Sequence, residues 1–332
     1  MRTQFACCRT WLCCLLLLAA PSVSAEDSAY DPLAVPDAFQ VRTADLDVVD
    51  DGRRRKIPVR VYFPPEQAAA PVVLFSHGLG GSRENNPYLG KHWSARGYVV
   101  VVLQHPGSDE SVWKDQPPLQ RLAAMKNAAN LQNTLLRLKD VPVVIDQLER
   151  WNAAKDSPLH ARLNLKQIGM SGHSFGAVTT QGVSGQRTPF GQALATDPRI
   201  RAALAMSPSS PRTGDPKQAF GGVMIPWLLM TGTNDTAIIG GADVASRLAV
   251  YPALPPGDKY ELVLDGAEHE AFGDRDLPAT KSKRNPNHHR AILAISTAFW
   301  DAFLLQKKQA RDWLDGKGPA TVLEPKDRWQ HK

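Results

Sequence analysis

The chain has 332 residues, a formal net charge of +6, 43% hydrophobic residues and 22% charged residues. This is the balance of an ordinary globular protein, and it excludes intrinsic disorder, a collagen-like repeat and a long coiled coil. So small an excess of positive charge calls for no nucleic-acid partner.

All four cysteines, Cys7, Cys8, Cys13 and Cys14, fall within the first fourteen residues. Arg2 and Arg9 precede or flank an apolar run at residues 11–20, Pro21 breaks it, and Val23-Ser24-Ala25 offers small residues where a signal peptidase reads. This three-part pattern predicts a secretory signal peptide over residues 1–25, cut after Ala25. The run is too short to span a bilayer, which takes about 20 residues, and no stable membrane insertion is expected after cleavage. Neither Cys13 nor Cys14 follows the small-residue box of a lipid anchor. Cleavage would lower the formal charge by two and remove every cysteine, so no thiol nucleophile is expected in the folded protein. The expected destination is the periplasm or the outside of the cell.

Residues 26–39 read as an extended lead-in. Residues 40–49 and 57–63 alternate as strands around the turn Asp50-Asp51-Gly52, which predicts a hairpin. The basic run 53–56 reads as its solvated tip. Continuous apolar runs at 72–75 and 99–103 predict strands buried on both faces, with a crossover helix carrying Trp93 between them. Residues 119–151 form a long amphipathic stretch that Pro142 should kink or split. Further strands are expected at 165–170, 202–206, 227–230 and 260–264. Helices are expected at 175–184 and 242–250, and from a cap at Asn285-Pro286 to about residue 305. Strands alternating with helices imply an α/β fold: a mainly parallel sheet with helices on both faces and an antiparallel N-terminal hairpin. One domain over residues 40–306 fits this pattern. The tail 307–332, with Trp313, Leu314 and Trp329, is expected to pack partly on it.

Gly172-His173-Ser174-Phe175-Gly176 matches G-x-S-x-G between a predicted strand and a predicted helix. That setting is what a nucleophile elbow requires, because the glycines allow the sharp turn and the close helix approach. A serine hydroxyl needs a neighbouring base. Downstream histidines are His269, His288, His289 and His331, and His269, just past a strand end, is favoured. His288 and His289 read as surface or capping residues. Asp235, in a turn after the strand at 227–230, is the favoured orienting acid, and Asp215 is its rival. Phe175 and Leu79 are the expected backbone donors to an oxyanion, Leu79 from the loop Ser76-His77-Gly78-Leu79-Gly80-Gly81. His77 reads as a structural hydrogen-bonder.

With these segments the sequence resembles the α/β-hydrolase superfamily over residues 40–306. The pair FSHGLGG and GHSFGA is similar to the platelet-activating-factor acetylhydrolase and dienelactone-hydrolase-like group. The resemblance implies Ser174 as nucleophile, His269 as base, and Leu79 and Phe175 as the oxyanion hole. Two departures stand out. The plasma acetylhydrolases carry their acid after the strand next to the nucleophile strand, whereas here that strand ends Ala205-Met206-Ser207-Pro208. Dienelactone hydrolases use a cysteine, and none is expected in this fold.

The expectation is therefore an exported serine hydrolase of carboxylic esters, small or polymeric, with short-chain or acetyl esters favoured and neither cofactor nor metal. A polyester or cutinase-like hydrolase is the first alternative, a peptidase or amidase the second, and a binding protein on the same fold the third. The short gap between residues 206 and 227 leaves no room for a large helical lid. Trp113 is a candidate lining residue for an open cleft beside Leu79 and Phe175, with a packing role as the alternative.

Overall fold

A computed structural model of the chain describes residues 29–274 and 284–332. The expected signal peptide, its cleavage point and residues 26–28 of the lead-in lie outside the described residues.

The apolar runs form a nine-stranded sheet in the order β1-β2-β4-β3-β5-β6-β7-β8-β9. Its strands are β1 Arg42–Asp50, β2 Arg55–Phe63, β3 Ala70–Ser76, β4 Val99–Leu103, β5 Leu163–His173, β6 Ile200–Met206, β7 Trp227–Asn234, β8 Lys259–Glu268 and β9 Arg328–His331. The pairings among β4, β3, β5, β6, β7 and β8 are parallel. β1 and β2 add antiparallel strands at one edge, and β9 does so at the other. The helices are α1 Pro87–Ala95, α2 Pro118–Ala128, α3 Leu131–Ala153, α4 Phe175–Val183, α5 Pro216–Phe220, α6 Val244–Leu248, α7 Val250–Ala253, α8 Pro286–Phe303 and α9 Lys308–Asp315. Asp31–Lys332 is one compact unit.

Side-chain alternation along β5 separates the two faces. Ile168 and Met170 join the buried cluster formed with Val141, Val144, Ile145 and Leu148 of α3. Gly169 faces the other way, where the missing side chain leaves room for the Trp300 ring of α8. Trp300 meets Trp93 of α1 edge-on, with ring centroids 5.8 Å apart. Five consecutive apolar residues in β4 are all buried, as a strand covered on both faces requires.

Three local expectations need correction. The 119–151 stretch does divide, but at Asn130 rather than at Pro142. The Asn130 side chain accepts from the Asn133 N–H and starts α3 afresh, and the helix then runs on through Pro142. The basic run at the hairpin is a solvated tip only in part, at the exposed Arg54 and Lys56. Arg53 and Arg55 fold back onto Asp140 of α3, which has no exposed side-chain surface. The predicted helix at 242–250 consists of two short pieces, α6 and α7. The tail packs as β9, where Trp329 stacks on Tyr260 at 5.6 Å between centroids, and as α9, whose Asp315 accepts from the Tyr260 hydroxyl.

α4 crosses β3 at main-chain contact. Any Cβ on Gly176 would overlap the Ser76 carbonyl, and one on Gly172 would overlap the Gly176 backbone. These obstacles are main chain and cannot rotate away. Gly176→Ala is expected to cost about 3 kcal/mol or more, seen as a lower melting temperature or loss of folded protein. A variant with unchanged melting temperature would contradict this packing.

Candidate active site

Ser174 stands between the end of β5 and the first turn of α4, with φ 58° and ψ −116°. A non-glycine residue at positive φ is strained, and the surrounding structure must hold it there. The Ser174 N–H donates to the Met206 carbonyl at 3.0 Å, and its carbonyl caps α4 through Ala177 at 2.9 Å. The side chain is thereby lifted off the sheet at the C-terminal ends of the strands.

His269 begins the short turn after β8, and its Nε2 lies 2.8 Å from the Ser174 hydroxyl. Its Nδ1 lies 2.7 Å from Asp235 Oδ1. Asp235 follows β7 and is fully buried, and its second oxygen accepts from the Thr231 hydroxyl at 2.9 Å. Burial pushes the Asp235 carboxyl up. The hydrogen bond from His269 and the charges of His269 and Arg247 outweigh that, so it lies below its ordinary value. The rival Asp215 sits elsewhere, as the N-cap of α5, accepting from Lys217 N–H. His288 is not a surface residue, while His289 is half-buried. His288 is buried with Nε2 3.1 Å from the Asp265 carbonyl, and His289 stacks on Tyr88.

The loop after β3 reaches the same place. A methyl on Gly78 would stand 3.5 Å from the Ser174 Cβ. Leu79 follows, and Gly80 at φ 70° closes the turn with Gly81 N–H donating to the Gly78 carbonyl at 3.2 Å. Trp113 is half-buried against this turn, its indole N–H donating to the Gly80 carbonyl at 2.8 Å. The structure thus brings Ser174, His269, Asp235, Leu79, Phe175 and Trp113 to one end of the sheet.

Three residues at this end escaped the sequence reading. Arg247 of α6 is buried, with Nε 2.9 Å from Asp235 Oδ1, and its Nη1 donates to the carbonyls of Ser207 and Pro208. It ties the ends of β6 and β7 together. Nothing in the sequence around Arg247 marks it. His173 lies beneath His269, with ring centroids 4.7 Å apart and Nε2 3.1 Å from the His269 carbonyl. Arg137 of α3 is the third. Its signal is helical phase, since positions 137, 141, 144 and 148 share the buried face of α3.

Behind the site runs a fully buried polar chain. His105 Nδ1 meets Asp140 at 2.9 Å, and its Nε2 meets the Ser76 hydroxyl at 2.9 Å. Arg55 makes a two-point contact with the same Asp140.

Comparison with known proteins agrees with this architecture. The family described as platelet-activating factor acetylhydrolase, isoform II, matches residues 58–141, from β2 into α3. Cutinase est2 of Thermobifida alba is 24% identical over 212 residues, covering 64% of this chain and 56% of that protein. Cutinase 1 of Thermobifida cellulosilytica is 25% identical over 213 residues, covering 64% of each. A cutinase of Thermobifida fusca (strain YX) is 25% identical over 213 residues, covering 64% of this chain and 56% of its own. The chain has the fold of the α/β-hydrolase superfamily. It spans less than two thirds of the length of these relatives. Among the described residues, no helix of this hydrolase-fold chain is long and apolar enough to cross a membrane.

Two consequences can be measured. Burial pushes His105 down to about 4 and His173 down to about 3, each with help from a neighbouring cation. In the unfolded chain both protonate near 6.5. Their contribution to stability is therefore complete above that value and is lost as the pH falls. Between pH 7.5 and 5 the two together should remove about 4 kcal/mol, with proton uptake on unfolding. Urea unfolding at pH 7.5 and pH 5 tests this, and equal stability at both would refute it. Arg247→Met leaves Asp235 without its buried cation and should destabilise the fold by about 3 kcal/mol, read as a lower urea midpoint.

Proposed function

We propose that the protein is an exported carboxylic ester hydrolase working through Ser174, His269 and Asp235. The observation that carries this reading is the continuous hydrogen-bonded chain from the Ser174 hydroxyl through both nitrogens of His269 to buried Asp235. A neutral imidazole with its proton on Nδ1, facing Asp235, leaves Nε2 free to accept from the serine.

In this mechanism Ser174 Oγ attacks the acyl carbon as its proton passes to His269 Nε2. The oxyanion of the tetrahedral intermediate accepts from the backbone N–H groups of Leu79 and Phe175. Collapse breaks the bond to the leaving alkoxide, which takes the proton back from His269. A water molecule, deprotonated by the same nitrogen, then attacks the acyl-serine. The second tetrahedral intermediate releases the carboxylic acid and restores the Ser174 hydroxyl. Asp235 keeps the ring in the productive tautomer and stabilises the imidazolium formed at each step.

Short-chain and acetyl esters are the preferred substrates in this reading, because only α5 lies between β6 and β7 and no large lid covers the site there. Trp113, Leu79 and Phe175 would flank the acyl group. The relatives named as cutinases favour a second reading, in which the same centre opens polymeric esters.

A fluorophosphonate should label Ser174 in the folded protein. Ser174→Ala and His269→Ala should each lower ester turnover by about 10⁴-fold or more, and Asp235→Asn by about 10⁴-fold. Asp215→Asn should leave it within about twofold. A p-nitrophenyl ester chain-length series run beside a polyester film and a phospholipid separates the substrate classes. Unlabelled, inactive folded protein would remove the ester-hydrolase reading altogether.

A further inference from the structure

Two backbone N–H groups from different segments must point at one atom if they are to hold an oxyanion. Leu79 belongs to the loop after β3, and Phe175 to the first turn of α4. One side chain touches the surroundings of both. Arg137 of α3 is fully buried, and its Nη1 donates to the His77 carbonyl at 2.7 Å. Its Nη2 lies 3.4 Å from the Gly78 carbonyl, and its Nε donates to the Ser108 hydroxyl at 2.8 Å. The carbon of the same guanidinium stands 4.3 Å from the centre of the Phe175 ring.

We propose that Arg137 is a positioning residue of the oxyanion hole, acting through the Gly78–Leu79 peptide on one side and the Phe175 ring on the other. This rests on the ester-hydrolase reading of the site and deepens it. The Gly78 carbonyl and the Leu79 N–H belong to one planar trans peptide and point in opposite directions. Holding the carbonyl on the Arg137 side therefore aims the N–H away from Arg137, toward the side of the loop that meets Ser174. His77 adds to the hold. Its Nε2 accepts from the His105 N–H at 3.0 Å, which places the ring proton on Nδ1, 2.6 Å from the Gly78 carbonyl.

The guanidinium also acts electrically. A carbonyl that accepts from a cation polarises its peptide and makes the N–H at the other end a stronger donor. Burial pushes Arg137 down to about 9, against the pull of Asp140 and Asp109, so it remains cationic at neutral pH. Asp140 does not depend on it, being held by Arg53, Arg55 and His105. The face-on contact with Phe175 fixes the distance between α3 and the start of α4. Arg137 thus sets both donors relative to each other without touching substrate.

The test compares wild type, Arg137→Lys, Arg137→Met and Ser108→Ala as full chains. Lysine keeps a charge but cannot span both carbonyls while lying flat on the ring. Both Arg137 variants should lose about 10- to 100-fold in kcat with KM within about threefold of wild type. Affinity for a trifluoromethyl ketone, which forms a tetrahedral adduct with Ser174, should fall by the same factor. Ser108→Ala only loosens the guanidinium, and kcat should drop several-fold in the same pattern. Unchanged kcat in a folded Arg137 variant, or a loss confined to KM with full affinity for the ketone, would overturn the proposal. If neither Arg137 variant folds, Ser108→Ala decides it by the same criteria. Fluorophosphonate labelling of Ser174 and ester turnover in wild type are measured alongside. Their failure would overturn the ester-hydrolase reading and this proposal with it. An active, labelled wild type beside undiminished variants would overturn the role of Arg137 alone.

Discussion

The structure depends on one crowded crossing, where the start of α4 passes over the ends of β3 and β5 at main-chain contact. Gly172 and Gly176 are needed there because the Ser76 carbonyl occupies the space a side chain would take. The same crossing forces Ser174 to positive φ, and that conformation presents its hydroxyl above the sheet. Because β3 is the contact partner, the loop that follows it emerges beside Ser174 and brings Leu79 with it. The positions of the proposed nucleophile and oxyanion donors thus follow from a single packing constraint.

Around this crossing the protein buries charge in two places, each organised by an arginine. Arg247 pins the ends of β6 and β7 and accompanies Asp235, which would otherwise be a costly isolated carboxylate. Arg137 lies behind the loop after β3, next to the chain of Ser76, His105, Asp140 and Arg55. Ser76, His105 and Asp140 repeat the residue types of the surface-reaching set, yet all three are fully buried. Without access to solvent or substrate they serve to satisfy one another and to brace the sheet under the site. Similar hydrogen bonding therefore has two different consequences, decided by depth.

Much of this was legible in the chain. Continuous valine and leucine runs read as parallel strands because both faces of such strands are buried. The G-x-S-x-G setting, the order of Ser174, Asp235 and His269, and the Asn285 cap were read from local chemistry. The helix break was misplaced, because an N-cap hydrogen bond at Asn130 restarts the helix and Pro142 is accommodated within it. Arg53 and Arg55 were read as solvated with the rest of the hairpin tip, since nothing near them in sequence announces Asp140, some 85 residues away.

The sequence by itself determined the class of fold, the turn that holds Ser174 and the segments from which its partners come. Those features rest on local periodicity and on residues that only a particular backbone accepts. Only the tertiary structure set Asp235 rather than Asp215 beside His269, buried His288, and placed Arg137, His173 and Arg247 around the site. Those outcomes depend on which distant side chains meet in a medium too poor in water to solvate them. There, a charge survives only where the fold supplies a partner.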